Sequence, residues 1–228
     1  MYYTMDQKEL IAKISECVEF GKVNKAAPFP PNMKGQDGAD ELTKLALEQG
    51  IKPADILNEA LICAMEKVGD KFSEKKIFVP QMLISAKAMN AAMEHLKPFF
   101  QSGEVQRKGK FIIGTVAGDL HDIGKNLVAM IIEGAGWEVI DLGVDVSSAK
   151  FIQAIKENEN AVVGLSALLT TTMHSMKTIV ADIKNELPDT KLIIGGAPVN
   201  DNFKNEIGAD NYSPDPQGAV IYLNSLVA

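Results

Sequence analysis

The stretch KFIIGTVAGDLHDIGKNLVAMIIEGAG, residues 110–136, decides the fold. It opens with a short β-rich run, KFIIGTV, passes through a polar turn rich in Gly and Asp, and continues with apolar residues at helical spacing. The same unit recurs downstream. WEVIDLG precedes SSAKFIQAIKENE, AVVGLSA precedes TTMHSMKTIVADIKNEL, and KLIIGGA precedes DNFKNEIGA. A short edge at Asn211-Tyr212 precedes DPQGAVIYLNSLVA. Five strand–helix pairs in residues 101–228 predict an α/β domain with a five-stranded parallel sheet, helices on both faces and right-handed crossovers. Five such units suit a flavodoxin-like order, whose ligand crevice lies beyond the C-terminal ends of the strands.

Residues 1–100 follow a different period. DQKELIAKISECVEFGKV, ADELTKLALEQG, PADILNEALICAMEKVGDKF and VPQMLISAKAMNAAMEHLKPFF all repeat apolar residues at intervals of three and four. Pro53 and Pro80 fall where a first helical turn accepts proline, and Gly50 falls where a helix end favours a left-handed residue. These segments predict a four-helix bundle as the N-terminal domain. Residues 26–38, AAPFPPNMKGQDG, carry too much Pro and Gly for a helix and read as a surface loop.

The 228 residues carry 23 Lys and Arg against 30 Asp and Glu, a net charge of -7. Without a basic cluster, nothing supports counterion-release binding to nucleic acid. Apolar runs stay short of the ~18–20 residues that span a bilayer, and MYYTMDQKELIAK has charges where a secretory signal needs an apolar stretch. The expectation is a soluble cytoplasmic protein with no nucleic-acid or membrane partner. Two cysteines, Cys17 and Cys63, make neither a disulfide framework nor a thiolate zinc site and suit apolar bundle positions.

Chemistry-bearing residues gather after the first, third and fourth strands of the α/β half. These are Gly118-Asp119-Leu120-His121-Asp122-Ile123-Gly124, then Ser166 to Thr172, then Gly195-Gly196. In a doubly wound sheet these strand ends are neighbours and line one cavity. Asp119, two residues before His121, can accept the proton of one imidazole nitrogen and orient the other as a metal ligand or base. A helix cap from Asp119 or Asp122 beside a solvated His121 accounts for the segment equally well. The threonine run can likewise be a cap, and the glycine pair a turn. Several rivals lack their motifs: there is no G-x-G-x-x-G after the first strand, no phosphate loop ending in Gly-Lys-Ser/Thr, no carboxylate closing the third strand, and no G-x-S-x-G elbow in GLSAL.

Asp-x-His-x-x-Gly, then 41 residues to Ser166-x-Leu168, then 26 residues to Gly195-Gly196, resembles the signature of cobalamin-binding domains. VGDKFSEKKIFVPQ, residues 68–81, is similar to the cap segment of cobalamin-dependent methionine synthase. The whole chain thus resembles the corrinoid methyl-carrier proteins of methyltransferase systems. The resemblance implies cobalamin or a related corrinoid as cofactor, its own lower base displaced into a channel of the α/β domain. His121 would be the lower axial ligand of cobalt, Asp119 would hydrogen-bond the far imidazole nitrogen, and Thr172 would supply the relay hydroxyl where the family usually has Ser. Ser166, Leu168 and Thr170 would contact the nucleotide tail, Gly195 and Gly196 would let it run close to the backbone, and Asp215 would approach it. Gly118, Leu120 and Asp122 would lie against the corrin edge, and Gly124 would be a further cofactor-binding residue. Phe72, Val79 and Met82 would belong to the cap over the upper corrin face, although their periodicity alone favours bundle core.

The implied activity is methyl transfer. Cobalt(I) takes a methyl group from a substrate:corrinoid methyltransferase, and methyl-cobalt(III) delivers it to a tetrahydrofolate- or thiol-dependent methyltransferase, with a reductive activase as a further partner. Methanol, methylamines, quaternary amines and methoxylated aromatics are all donors for such carriers. The alternative is a cobalamin-binding sensor that never transfers the methyl. The Lys97–Lys110 stretch is the expected hinge for cap movement. His95 and His174 read as solvated residues on helix surfaces.

Overall fold

A computed structural model describes residues 5–227; residues 1–4 of the N-terminal segment and Ala228, at the end of the last predicted helix, lie outside the described residues. The chain forms two compact units, the first running to Arg107 and including Gly134–Gly136, the second made of Lys108–Glu133 and the chain from Trp137 onward.

The first unit is helical: α1 (Gln7–Phe20), α2 (Ala39–Glu48), α3 (Pro53–Asp55), a π-helical run Ile56–Ile62, α4 (Cys63–Ser73) and α5 (Val79–Gln101). The predicted helix over 53–72 is therefore one continuous helical path with a π-helical middle. Leu10, Ile14, Cys17 and Val18 bury one stripe of α1, as the three- and four-residue spacing demands. The helix ends at Gly21, whose φ of 76° suits glycine and whose N–H bonds the Val18 carbonyl. A Cβ there would stand 2.3 Å from Ile84 Cγ2, so packing also requires glycine. Burial pushes the Cys17 thiol up to about 12, and the neighbouring Glu16 carboxylate acts in the same direction.

Three expectations for this half change. His95 is not simply solvated: its Nε2 lies 2.6 Å from Asp40 Oδ1 and ties α5 to α2. The 26–38 loop contains a 3-10 turn, Pro31–Met33, and buries Pro30 and Met33. A proline held in the first position of such a turn fits its fixed φ, so composition excluded an α-helix there but not this shorter form. Met82 is fully buried and offers no surface to a ligand, whereas Phe72 is half-buried and Val79 exposed. Of the stretch expected as a hinge, Lys97 to Gln101 belong to α5, and regular structure is missing only over residues 102–109.

The second unit alternates β1 (Lys110–Thr115), α6 (Ile123–Gly134), β2 (Glu138–Asp141), α7 (Ser148–Glu157), β3 (Val162–Ser166), α8 (Met173–Glu186), β4 (Leu192–Gly195), α9 (Asp201–Ile207), β5 (Asn211–Tyr212) and α10 (Pro216–Ser225). The strands are parallel throughout and ordered β2-β1-β3-β4-β5, the flavodoxin-like arrangement. Alternation along the strands divides the apolar residues between the two faces. Ile112, Val163, Leu192 and Ile194 join Phe151, Ile179 and Val180 of α7 and α8 in one core. Phe111, Ile113, Gly164 and Ile193 line a cavity together with residues of α6 and α10. Chain order reverses between β1 and β3, so the loops after these strands diverge and leave a crevice.

The burial of Met82 yields a direct check. Met82→Ala should lower the unfolding free energy by about 2–5 kcal/mol, as for other buried large-to-small changes, measured by urea denaturation. A change below about 0.5 kcal/mol, typical of exposed sites, would contradict its place in the core.

Candidate functional site

Asp119 organises the loop between β1 and α6. Its side chain has no exposed surface, and its two oxygens accept four hydrogen bonds. Oδ1 accepts from the His121 N–H at 3.1 Å and faces His121 Nδ1 at 2.7 Å. Oδ2 accepts from the Leu168 N–H at 2.7 Å and from the Thr172 hydroxyl at 2.8 Å. Burial alone would raise the carboxyl pKa. The bonds from Leu168, His121 and Thr172 outweigh it and hold Asp119 well below the usual carboxylate range.

An ionised Asp119 can only accept, so it selects the tautomer in which His121 Nδ1–H donates to Oδ1 and Nε2 is the ring nitrogen with the lone pair. The His121 side chain is half exposed and lines a cavity of about 530 Å³. Thr115, fully buried at the end of β1, donates its hydroxyl to the His121 carbonyl at 2.9 Å and fixes the backbone beneath the ring.

The cap readings divide. Asp122 stands just before α6, where its carbonyl accepts from the Asn126 N–H and its carboxylate bonds the Asn126 side-chain amide rather than a backbone N–H. Asp119 does not cap. Thr172 precedes α8 but makes no side-chain cap bond, and its hydroxyl is directed to Asp119 and the Leu169 carbonyl instead.

Of the other residues singled out by the sequence, Leu120, His121, Asp122, Gly124, Ser166, Leu168, Gly195, Gly196 and Asp215 line the cavity. Gly118 stands beside them in the Asp119 loop, with φ 83°. Thr170 is exposed and is not part of the cavity lining. Asp215 also caps α10 by accepting from the Gly218 N–H at 2.8 Å. A Cβ on Gly196 would fall 1.8 Å from the Ala167 carbonyl oxygen, and its φ is 125°. The chain's own backbone therefore already demands this glycine. His174 is exposed, as expected.

Sequence reasoning overlooked several contributors. Ile123 and Leu169 extend an exposed apolar rim with Leu120 and Leu168; Leu120 is 72% and Ile123 80% exposed. An apolar residue opening a helix gave no sign of its direction. Lys125 lies in the cavity wall, its ammonium buried and paired with Asp141 and Asn126. Asp145 accepts a hydrogen bond from the Gly118 N–H.

Comparison with known proteins agrees with this geometry. A family model described as B12 binding domain matches residues 109–220, and a second B12 binding domain model matches residues 36–97. The trimethylamine corrinoid protein of Methanosarcina barkeri is 38% identical over 219 residues, which cover 94% of this chain and 95% of that protein. The crystal structure of a cobalamin-binding protein from Desulfitobacterium hafniense DCB-2 is 32% identical, with a TM-score of 0.70 and coverage of 98% of this chain and 99% of that one. The methanol:cobalamin methyltransferase complex MtaBC from Methanosarcina barkeri aligns at a TM-score of 0.79 and 25% identity, over 99% of this chain and 86% of that one. The chain belongs to the B12-binding corrinoid proteins, and its cofactor is a corrinoid.

The residues present fit such a group. A large flat ligand needs an apolar border, which the exposed cavity-lining Leu120 and Ile123 provide beside the half-exposed imidazole. A slender tail needs a deep channel, which the cavity supplies between β1, β3 and β4 on one side and α6 and α10 on the other. Gly124 lines it, and a Cβ there would meet no atom within 4 Å, so any side chain would take ligand space.

The Asp119 bonds predict a pH dependence. The folded-state pKa lies below the unfolded value of about 3.9, so ionised Asp119 contributes stability that is present above about pH 4 and is lost as pH falls through the folded pKa. Asp119→Asn should lose this acid-side slope and unfold about 1–3 kcal/mol more easily near neutrality, because its amide presents donors where acceptors are needed. Urea unfolding of both proteins as a function of pH measures the difference; parallel curves would contradict the bonding described.

Proposed function

We propose that this chain is a cytoplasmic methyl carrier that serves two methyltransferases. The observation carrying the proposal is His121 held by the buried Asp119 and Thr172, with Nε2 free at the mouth of the cavity. When bound, the corrinoid supplies a cobalt centre able to receive and release a methyl group. His121 Nε2 is assigned as the lower ligand of that cobalt. Ser166, Leu168, Gly195, Gly196 and Asp215 are assigned to the nucleotide tail, Gly118, Leu120 and Asp122 to the corrin edge, and Gly124 to the cofactor-binding channel. Phe72 and Val79 are assigned to shielding the reactive side, on the resemblance alone.

The protein's own groups manage one proton. Asp119 keeps a hydrogen on His121 Nδ1 and makes Nε2 more electron-rich, as a carboxylate does for a metal-bound histidine. The Leu168 N–H and the Thr172 hydroxyl stabilise the negative charge on Asp119 that faces the Nδ1 hydrogen.

The relatives' names support the partner assignment: one structure is a complex with a methanol:cobalamin methyltransferase, and other relatives are trimethylamine and dimethylamine corrinoid proteins. By extension, a substrate-specific methyltransferase loads this chain, a thiol or tetrahydrofolate methyltransferase unloads it, and a reductive activase services the cofactor.

Anaerobic reconstitution with a corrinoid lacking its own lower base tests the site. After desalting, the wild type should retain one corrinoid per chain, and its cobalt(II) electron paramagnetic spectrum should show coupling to one protein nitrogen. His121→Ala should lose that coupling. Failure of the wild type to retain any corrinoid, or coupling that persists without His121, would overturn the assignment. A labelled methyl group that passes from donor methyltransferase to this chain and on to an acceptor separates a carrier from a sensor, which would not pass it on.

A further inference from the structure

We propose that Asp145 is a positioning residue for His121, acting through the backbone of the Gly118–Asp119 turn. Asp145 lies in the loop between β2 and α7, 27 residues along the chain from Gly118. Its carboxylate accepts from the Gly118 N–H at 2.7 Å, and its own N–H donates to the Asp119 carbonyl at 3.1 Å. The two bonds hold the peptide groups that flank the 118–119 unit, one on each side. Asp145 holds a φ of 54°, one of the few non-glycine residues in left-handed backbone among those described. Asp and Asn enter that region more readily than other side chains, and here the carboxylate also has a specific donor to meet.

The loop is anchored on either side of this grip. Thr115 N–H donates to the Gly143 carbonyl and Val146 N–H to the Thr115 carbonyl, so residues 143–146 run alongside the end of β1. Gly118 itself has φ 83° and leaves the strand direction there, so its N–H is turned away from any sheet partner. Asp145 meets that donor. The next side chain is Asp119, whose oxygens must reach His121 Nδ1 on one side and Leu168 N–H and Thr172 on the other. The 118–119 peptide is itself tied by its N–H to the Val116 carbonyl at 3.1 Å, and a shift of the flanking groups that Asp145 holds would swing the carboxylate away from these partners. Asp145 thus fixes which nitrogen of His121 carries hydrogen, without touching the ring.

The inference deepens the proposed role of His121, yet its test needs no corrinoid. In the apo full-length chain at about pH 8, above the ordinary imidazole range, long-range proton–nitrogen correlation spectra report the tautomer of each of the three histidines; His121→Ala assigns the signal. Wild type should show His121 mainly as the Nδ1–H form. Asp145→Gly removes the carboxylate and relaxes the φ 54° requirement, and it should shift His121 toward the Nε2–H form that free imidazole side chains favour. Asp145→Asn keeps an acceptor oxygen and tolerates left-handed backbone, so it should restore the Nδ1–H form. Urea unfolding of each variant shows whether the fold persists. Should Asp145→Gly keep the wild-type tautomer, or Asp145→Asn fail to rescue it in a folded chain, the positioning role is overturned. These outcomes stand apart from the ligand assignment, which the reconstitution spectrum decides.

Discussion

The second unit depends on one buried carboxylate. Removing a charged group from water is unfavourable by several kcal/mol unless donors replace the lost hydration. Asp119 meets that condition with two backbone N–H groups, an imidazole and a hydroxyl. Those donors come from two loops that only a parallel sheet with adjacent β1 and β3 can bring together. The carboxylate therefore closes the top of the sheet and fixes a histidine tautomer at the same time. Either task alone would leave one of its oxygens short of partners.

Strand alternation settles where the ligand space lies. One face of β1, β3 and β4 is filled by α7 and α8 with branched and aromatic side chains. On the other face, Gly164 has no side chain, and the Phe111 ring already lies where its Cβ would stand, 2.4 Å away. The helices on that side, α6 and α10, leave a channel opening beside His121. Gly196 bends the chain after β4 against the Ala167 carbonyl, drawing the third and fourth strand ends together at the channel's edge. A tight internal approach and an open channel are thus made by neighbouring backbone.

Much of this was legible in the sequence because it depends on local signals. The strand–helix period fixed the order of elements down to the two-residue edge Asn211–Tyr212, which the structure pairs with β4. The spacing of Asp119, His121, Ser166 and Gly195 identified the loops that meet. What escaped depends on direction rather than type. His95 looks like a surface residue on α5 until α2 brings Asp40 beside it. Met82 has the same one-turn spacing as an exposed cap residue but points inward. Thr172 has the right chemistry to cap α8, and only its position against a carboxylate from another loop redirects the hydroxyl. Asp145 carries no motif at all, since its role arises from a left-handed backbone and a donor 27 residues away.

The threonine at 172 shows how small a difference such a site can accommodate. A hydroxyl has one hydrogen, and Thr172 has two acceptors in reach, the Asp119 carboxylate at 2.8 Å and the Leu169 carbonyl at 2.9 Å. An ionised acceptor is the stronger one, so the hydrogen goes to Asp119. A serine at this position could rotate between acceptors with little hindrance. Threonine is stiffer at χ1 because its branch carries two heavy atoms. Its methyl group lies toward Gly118, 3.8 Å from where a Cβ on that residue would stand, and packs against the turn that Asp145 holds from the other side. The added methyl therefore leaves the donor chemistry unchanged and restricts its direction, so the hydroxyl, the carboxylate and the imidazole are fixed in line by packing as well as by hydrogen bonds.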